Sequence, residues 1–162
     1  MSASQVLLPA FLIGAADGLR SLTAPAAVAW AAHLGWLNLI GTPLSFMGST
    51  ASVAIFTVLA IGELVADKLP STPSRTAPPG LIARIVLGGL SGACVAAAGA
   101  QSAPAGAGLG VAGGLAGTFA GYQARTHLVR ALKVPDLVIA LLEDAVAVGG
   151  SLFLVSRFFS RF

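Results

Sequence analysis

All six carboxylates in this chain of 162 residues lie within apolar segments or at their ends: Asp17, Glu63, Asp67, Asp136, Glu143 and Asp144. Glu63 and Asp67 close the stretch Leu59-Ala60-Ile61-Gly62-Glu63-Leu64-Val65-Ala66-Asp67-Lys68-Leu69-Pro70. Four residues apart, they share one face of a helix. Between Arg20 and Glu63 there is no Asp, Glu, Lys or Arg. That run is long enough to cross a bilayer, so Glu63 falls at the edge of hydrocarbon or inside it. A carboxylate there needs a proton, a cation, an arginine or water, and such groups mark ion and solute paths. Glu143 and Asp144 are adjacent, about 100° apart on a helix, so only one of them points squarely at a given partner. Asp17 and Arg20, three apart, form either a self-neutralising pair or a charge set that meets Glu63 or Glu143 on another span. Ser21 and Thr23 add hydroxyls beside them.

The chemistry these residues offer is exchange of a proton for a cation at carboxylates in low dielectric. The expected solute- or ion-binding set is Glu63, Asp67, Glu143, Asp144, Asp17, Arg20, Ser21 and Thr23. If a metal is held, Glu63, Glu143 and Asp144 are its candidate ligands. His33 and His127 lie in different segments, and no Cys/His set has zinc spacing. No nucleophile–base set occurs, so no enzyme activity and no cofactor is expected. Asp17-Gly18 matches only the start of the CDP-alcohol phosphotransferase signature, whose later Gly and paired Asp residues are missing.

The elements that must position these groups follow from composition. The chain is 56% hydrophobic and 9% charged, with mean hydropathy +0.90, whereas soluble domains carry about 25% charged residues. Residues 1–162 are therefore expected to form a single integral membrane domain. Net charge is +3, but no basic face interleaved with aromatics speaks for nucleic acid. The expected partners are the lipid bilayer, a small solute or cation, and further copies in a homo-oligomer. The N-terminus lacks a basic signal region and is expected to be retained. Cys94, alone in an Ala/Gly-rich span, is expected to serve packing.

Gln5 to about Ile40 would make a helix of about 54 Å against a hydrocarbon core of about 30 Å. It must break, and Gly18 to Pro25 is the place, giving a discontinuous span or a re-entrant pair. Gly35 to Ser49, with Trp36, Pro43 and Phe46, reads as an interfacial connection. Further spans are expected over Thr50–Asp67, Leu81–Gln101, Ala105–Ala124 and Asp136–Ser156. A turn at Ser102-Ala103-Pro104, a hydrophilic loop over Lys68–Gly80 and an aromatic, basic tail over Phe158–Phe162 complete the chain. The fold class is thus an all-α polytopic transmembrane bundle of about five apolar segments, the first broken or re-entrant. The echo of Leu59–Glu63 in Ile139–Glu143 suggests an inverted repeat. Lys68, Arg75 and Arg84 flank one loop, and Arg125, Arg130 and Lys133 another. The positive-inside rule makes loops 68–84 and 125–135 cytoplasmic in an inner (plasma) membrane, with Arg157 and Arg161 as exceptions. Glycines at Gly14/Gly18, Gly88/Gly92, Gly106/Gly110/Gly114 and Gly113/Gly117/Gly121 provide close-approach surfaces, within the chain or across an oligomer.

Four stretches resemble a bacterial family of small multi-pass membrane proteins, domain-of-unknown-function family 4126. They are Gly18-Leu19-Arg20-Ser21-Leu22-Thr23-Ala24-Pro25; Gly62-Glu63-Leu64-Val65-Ala66-Asp67-Lys68-Leu69-Pro70 with Ser74-Arg75-Thr76; Gly113-Gly114-Leu115-Ala116-Gly117; and Leu142-Glu143-Asp144-Ala145-Val146-Ala147. The resemblance implies an all-helical membrane protein and carries no established activity. Glu63 to Lys68 is also similar to the Glu-x-Gly-Asp-Lys-Thr signature of manganese/calcium cation exchangers, with a different spacing and with glycine before the acid. Two function classes follow: a transporter or channel for a small solute or cation using intramembrane carboxylates, or a membrane assembly protein whose buried charges are structural ion pairs.

Overall fold

A computed structural model describes residues 2–67 and 77–159, the side chains of 158 and 159 excepted. The described residues form six α-helices and no strand: α1 (Ala3–Leu19), α2 (Thr23–His33), α3 (Thr50–Ala66), α4 (Pro78–Ala98), α5 (Ala103–Leu132) and α6 (Asp136–Phe159), with a 3-10 turn at Ser45–Gly48. Lys68 to Thr76, with Pro70, Pro73 and Arg75, and the tail from Ser160 lie outside the described residues.

The chain ends its helices where local chemistry allows. Ser2 and Gln5 form a reciprocal capping box on α1, and Ser49 and Ser102 cap α3 and α5 through their hydroxyls. The expected turn at Ser102-Ala103-Pro104 is thus the cap and first turn of α5, where proline is tolerated. Pro78 and Pro79 likewise open α4 instead of lying in a loop. α5 runs eight residues past the expected end at Ala124.

The first apolar region is two helices. Arg20, Ser21 and Leu22 form the turn, and Pro25 sits in the first turn of α2, where its missing N–H has no intrahelical acceptor to lose. α2 runs beside α3 in the opposite direction: Leu22 meets Glu63, Trp30 Nε1 donates to Thr57 at 3.0 Å, and His33 Nδ1 lies 2.9 Å from the Gly48 carbonyl. Ala10 and Ile13 of α1 share one buried cluster with Val28 and Ala31 of α2 and with Cys94 and Val95 of α4. α2 therefore doubles back along the side from which α1 came, so the first apolar region is a helical hairpin. The connection after it is not wholly interfacial, since Leu37, Leu39 and Met47 are buried.

Glycine sets the tightest packing. α5 runs parallel to α1, with Gly110 and Gly114 against Gly14 and Gly18, and antiparallel to α4, with Gly106 and Gly110 against Gly92 and Gly88. A Cβ on Gly14, Gly18 or Gly110 would strike the facing backbone, so only glycine permits these approaches. Gly113 and Gly117 press on Phe11 and Ala15 of α1, so α5 is used on two sides. These motifs are consumed inside the chain and leave none of that surface for an oligomer. By contrast α3 packs mainly on α2, and only Val53 and Ala60 of it are buried. The molecule thus has a dense unit, α1/α4/α5, against which α2 and α6 each pack more lightly, with α3 outermost on α2.

The outside is apolar: Ile55, Val58, Val65, Val86, Val146 and Phe153 are each more than half exposed. Two helices, Pro78–Ala98 and Asp136–Arg157, are long and apolar enough to cross a membrane, and α1 and α3 are shorter apolar helices. The echo between Leu59–Glu63 and Ile139–Glu143 does not fall on equivalent positions. Glu63 ends its helix while Glu143 lies near the start of its own, and α5 has no counterpart packed as tightly among α2, α3 and α6.

Candidate functional site

The turn between α1 and α2 leaves backbone groups at two helix ends without helical partners, and charged side chains from other helices fill them. At the start of α2 the Glu63 carboxylate accepts from Ser21 N–H at 2.8 Å, Ser21 Oγ–H at 2.6 Å and Leu22 N–H at 2.8 Å. A carboxylate there caps exposed donors and meets the positive end of the helix dipole. At the end of α1 the Gly18 carbonyl accepts from Arg84 Nε at 3.1 Å and from the Thr118 hydroxyl at 3.3 Å. Arg84 also donates to the Gly80 carbonyl at 3.0 Å, and its Nη2 lies 4.0 Å from Glu63.

Arg20, fully buried, is the centre of the arrangement. It donates through Nη1 to Asp67, at the end of α3, and through Nε to Asp144 of α6 at 2.5 Å. One guanidinium thus joins three parts of the chain through charge-assisted hydrogen bonds from two of its nitrogens. Beside it Arg125 of α5 holds Asp136 through Nε at 2.8 Å and Nη2 at 2.5 Å, and reaches Glu143 at 3.5 Å.

All eight residues expected at the site lie at one end of the bundle, but with different partners than expected. Arg20 meets Asp67 and Asp144 instead of Glu63 or Glu143, and it is not paired with Asp17. Asp67, in the expected binding set, is bonded by Arg20. Glu63, Glu143 and Asp144 do not converge as a metal trio: each serves a different donor, and among the described residues no group of three His, Cys, Asp or Glu could hold a metal. Asp17 is fully buried with neither carboxyl oxygen hydrogen-bonded to any described residue. Thr23 Oγ1 and Arg20 Nη2 are buried without partners as well.

Sequence reasoning missed Arg84, Arg125 and Thr118. Arg84 was assigned to a basic loop, yet it is buried inside α4. Its signal was available: Pro78 and Pro79 favour a helix start, which puts Arg84 nearly two turns inside an apolar helix. Nearby, an apolar crevice of about 170 Å³ opens between α2, α3 and α6, lined by Thr23, Trp30, Thr57, Leu64, Val148 and Leu152 among others. None of the six acids lines it.

A family model described as a domain of unknown function matches residues 7–157. No curated protein and no solved structure matches the chain.

Proposed function

This chain belongs to the family described as a domain of unknown function (DUF4126), and we propose that it is a membrane-embedded transporter or channel for a small solute or cation, latched shut at its charged end. The observation that carries this reading is the way Arg20 fastens the molecule. Glycine welds α1, α4 and α5 through backbone contact, whereas Asp67 and Asp144 fasten α3 and α6 to the α1–α2 turn through one arginine. Packed backbones do not separate readily, but a carboxylate–guanidinium contact opens when a proton or a competing ion takes one partner. A dense unit carrying more lightly packed outer helices is suited to rocking about a buried site. The polarity of the molecule, with carboxylates within and aliphatic side chains outside, fits hydrocarbon as its solvent. With Arg125, Arg130 and Lys133 at or near that end, the charged end faces the cytoplasm of an inner membrane.

A second reading, a membrane assembly protein with structural ion pairs, is favoured by a specific observation. Glu63 and Arg20 are engaged by internal partners, and the crevice between α2, α3 and α6 is apolar. Proteoliposomes carrying an internal pH-sensitive dye separate the two. Under an imposed potassium diffusion potential the wild-type protein is expected to accelerate proton entry, and Glu63→Gln and Glu143→Gln to reduce the rate at least tenfold. Wild-type vesicles as tight as empty ones, or variants as fast as wild type, would overturn the transport reading.

A further inference from the structure

Among the six acids Asp17 stands apart. Asp67, Asp144, Asp136 and Glu143 are each in contact with an arginine, and Glu63 is bound by three donors at the start of α2. Asp17 lies one turn before the α1–α2 break, fully buried, with Oδ2 against the glycine wall of α4: a Cβ built on Gly88 would lie 3.3 Å from it. Neither oxygen has a hydrogen-bond partner among the described residues. The charged groups that act on it are Glu63 from α3 and Arg84 from α4; Arg20, three residues on at the end of its own helix, has its guanidinium on Asp67 and Asp144. Arg84 also donates to the Gly18 and Gly80 carbonyls. An ionised carboxylate left so bare would cost more than its neighbours return.

We propose that Asp17 is a proton-binding site that controls the Arg20 latch, an inference that rests on the transport reading and assigns the proton as the ion of that site. With the proton on Asp17, Arg20 has no competing anion and holds Asp67 and Asp144. When the Asp17 O–H bond breaks, the proton passes to water at the charged end. The carboxylate left behind becomes an acceptor three residues from a guanidinium whose Nη2 is without a partner. Arg20 turns toward Asp17, the contacts to Asp67 and Asp144 lengthen, and α3 and α6 are released together. Proton transfer is the whole of the chemistry.

Difference infrared spectroscopy on the full chain in lipid nanodiscs tests the assignment directly. Stepping the pH is expected to produce a protonated-carboxyl C=O band that disappears in Asp17→Asn and shifts in frequency in Asp17→Glu. Spin labels at Val65→Cys and Tyr122→Cys, both exposed positions on α3 and α5, are expected to move apart as pH rises in the wild-type background and to stay fixed with Asp17→Asn. A band common to wild type and Asp17→Asn overturns the site, and a distance that ignores pH overturns its control of the latch. Should Asp17→Asn fail to fold, the unshifted band of Asp17→Glu overturns the site equally. Loss of the band in Asp17→Asn from a wild type that moves no protons across vesicles keeps the proton site and refutes transport. Proton flux with an Asp17-independent band does the reverse.

Discussion

At the residue scale the decisive feature is that one arginine answers two acids. Removing one partner of a buried pair costs about 3–5 kcal/mol, because the remaining charge stays buried without compensation. Arg20→Met is therefore expected to lower the thermal unfolding midpoint in detergent severely, by leaving Asp67 and Asp144 facing an apolar side chain. The triple variant with Asp67→Asn and Asp144→Asn added is expected to recover most of the loss, since three neutral groups are cheaper to bury than two orphaned carboxylates. An Arg20→Met protein as stable as wild type would show that the guanidinium is not the fastening. Glu63 differs: its bonds go to backbone and hydroxyl donors, so Glu63→Gln keeps one acceptor oxygen and turns an NH₂ toward donors. Its stability cost is expected to be smaller, about 1–3 kcal/mol.

At the scale of elements the glycines divide into two kinds. A Cβ on Gly110 would meet the Gly88 and Gly92 backbone of α4, so Gly110→Ala must push α4 off α5. Overpacking a tight seam costs about 1–3 kcal/mol, and backbone cannot give way as a flexible side chain would. Gly62 and Gly149 have open space where a Cβ would stand. Alanine there is expected to leave the unfolding midpoint unchanged or to raise it by the helix-propensity difference of about 0.5–1 kcal/mol. Equal behaviour of Gly110→Ala and Gly62→Ala in thermal denaturation would refute the backbone seam. α3 is the complementary case. Its flank against α2 is thin, so its register relies on Glu63 and Asp67 at one end and on Trp30 and the Ser49 cap toward the other.

For the whole molecule the doubling back of α2 changes where the chain begins. Val6 packs at Gly99, in the turn between α4 and α5, so the start of α1 lies at the end of the bundle away from the charges. Residue 2 and the α4–α5 turn therefore lie at one end of the bundle and the α5–α6 turn at the other, which under the proposed membrane placement puts them on opposite faces. In sealed vesicles of one orientation, a membrane-impermeant maleimide is expected to label Ser2→Cys and Ala100→Cys from the same face and Lys133→Cys from the opposite one. Labelling of Ser2→Cys and Lys133→Cys from one face would refute this arrangement. Cys94, the one native cysteine, is buried and is not expected to interfere.

Composition and spacing alone determined that the chain is helical and apolar and where most of its helices lie, because hydropathy and glycine or proline punctuation act over a few residues. They also marked the acids that matter, since a carboxylate in an oily segment is conspicuous wherever it points. Partner choice was a different matter. Whether Arg20 reaches Glu143 or Asp144 turns on helix rotation, since adjacent positions differ by about 100°, and whether it reaches Glu63 or Asp67, which share a face, turns on its height along α3. Arg84 as an interior group was within reach of the sequence, through the helix start that Pro78 and Pro79 mark, but the Gly18 carbonyl it serves was not. That Asp17 has no hydrogen-bond partner among the described residues was decided by tertiary structure: Arg20, three residues away, is drawn off by two carboxylates distant in sequence and near in space.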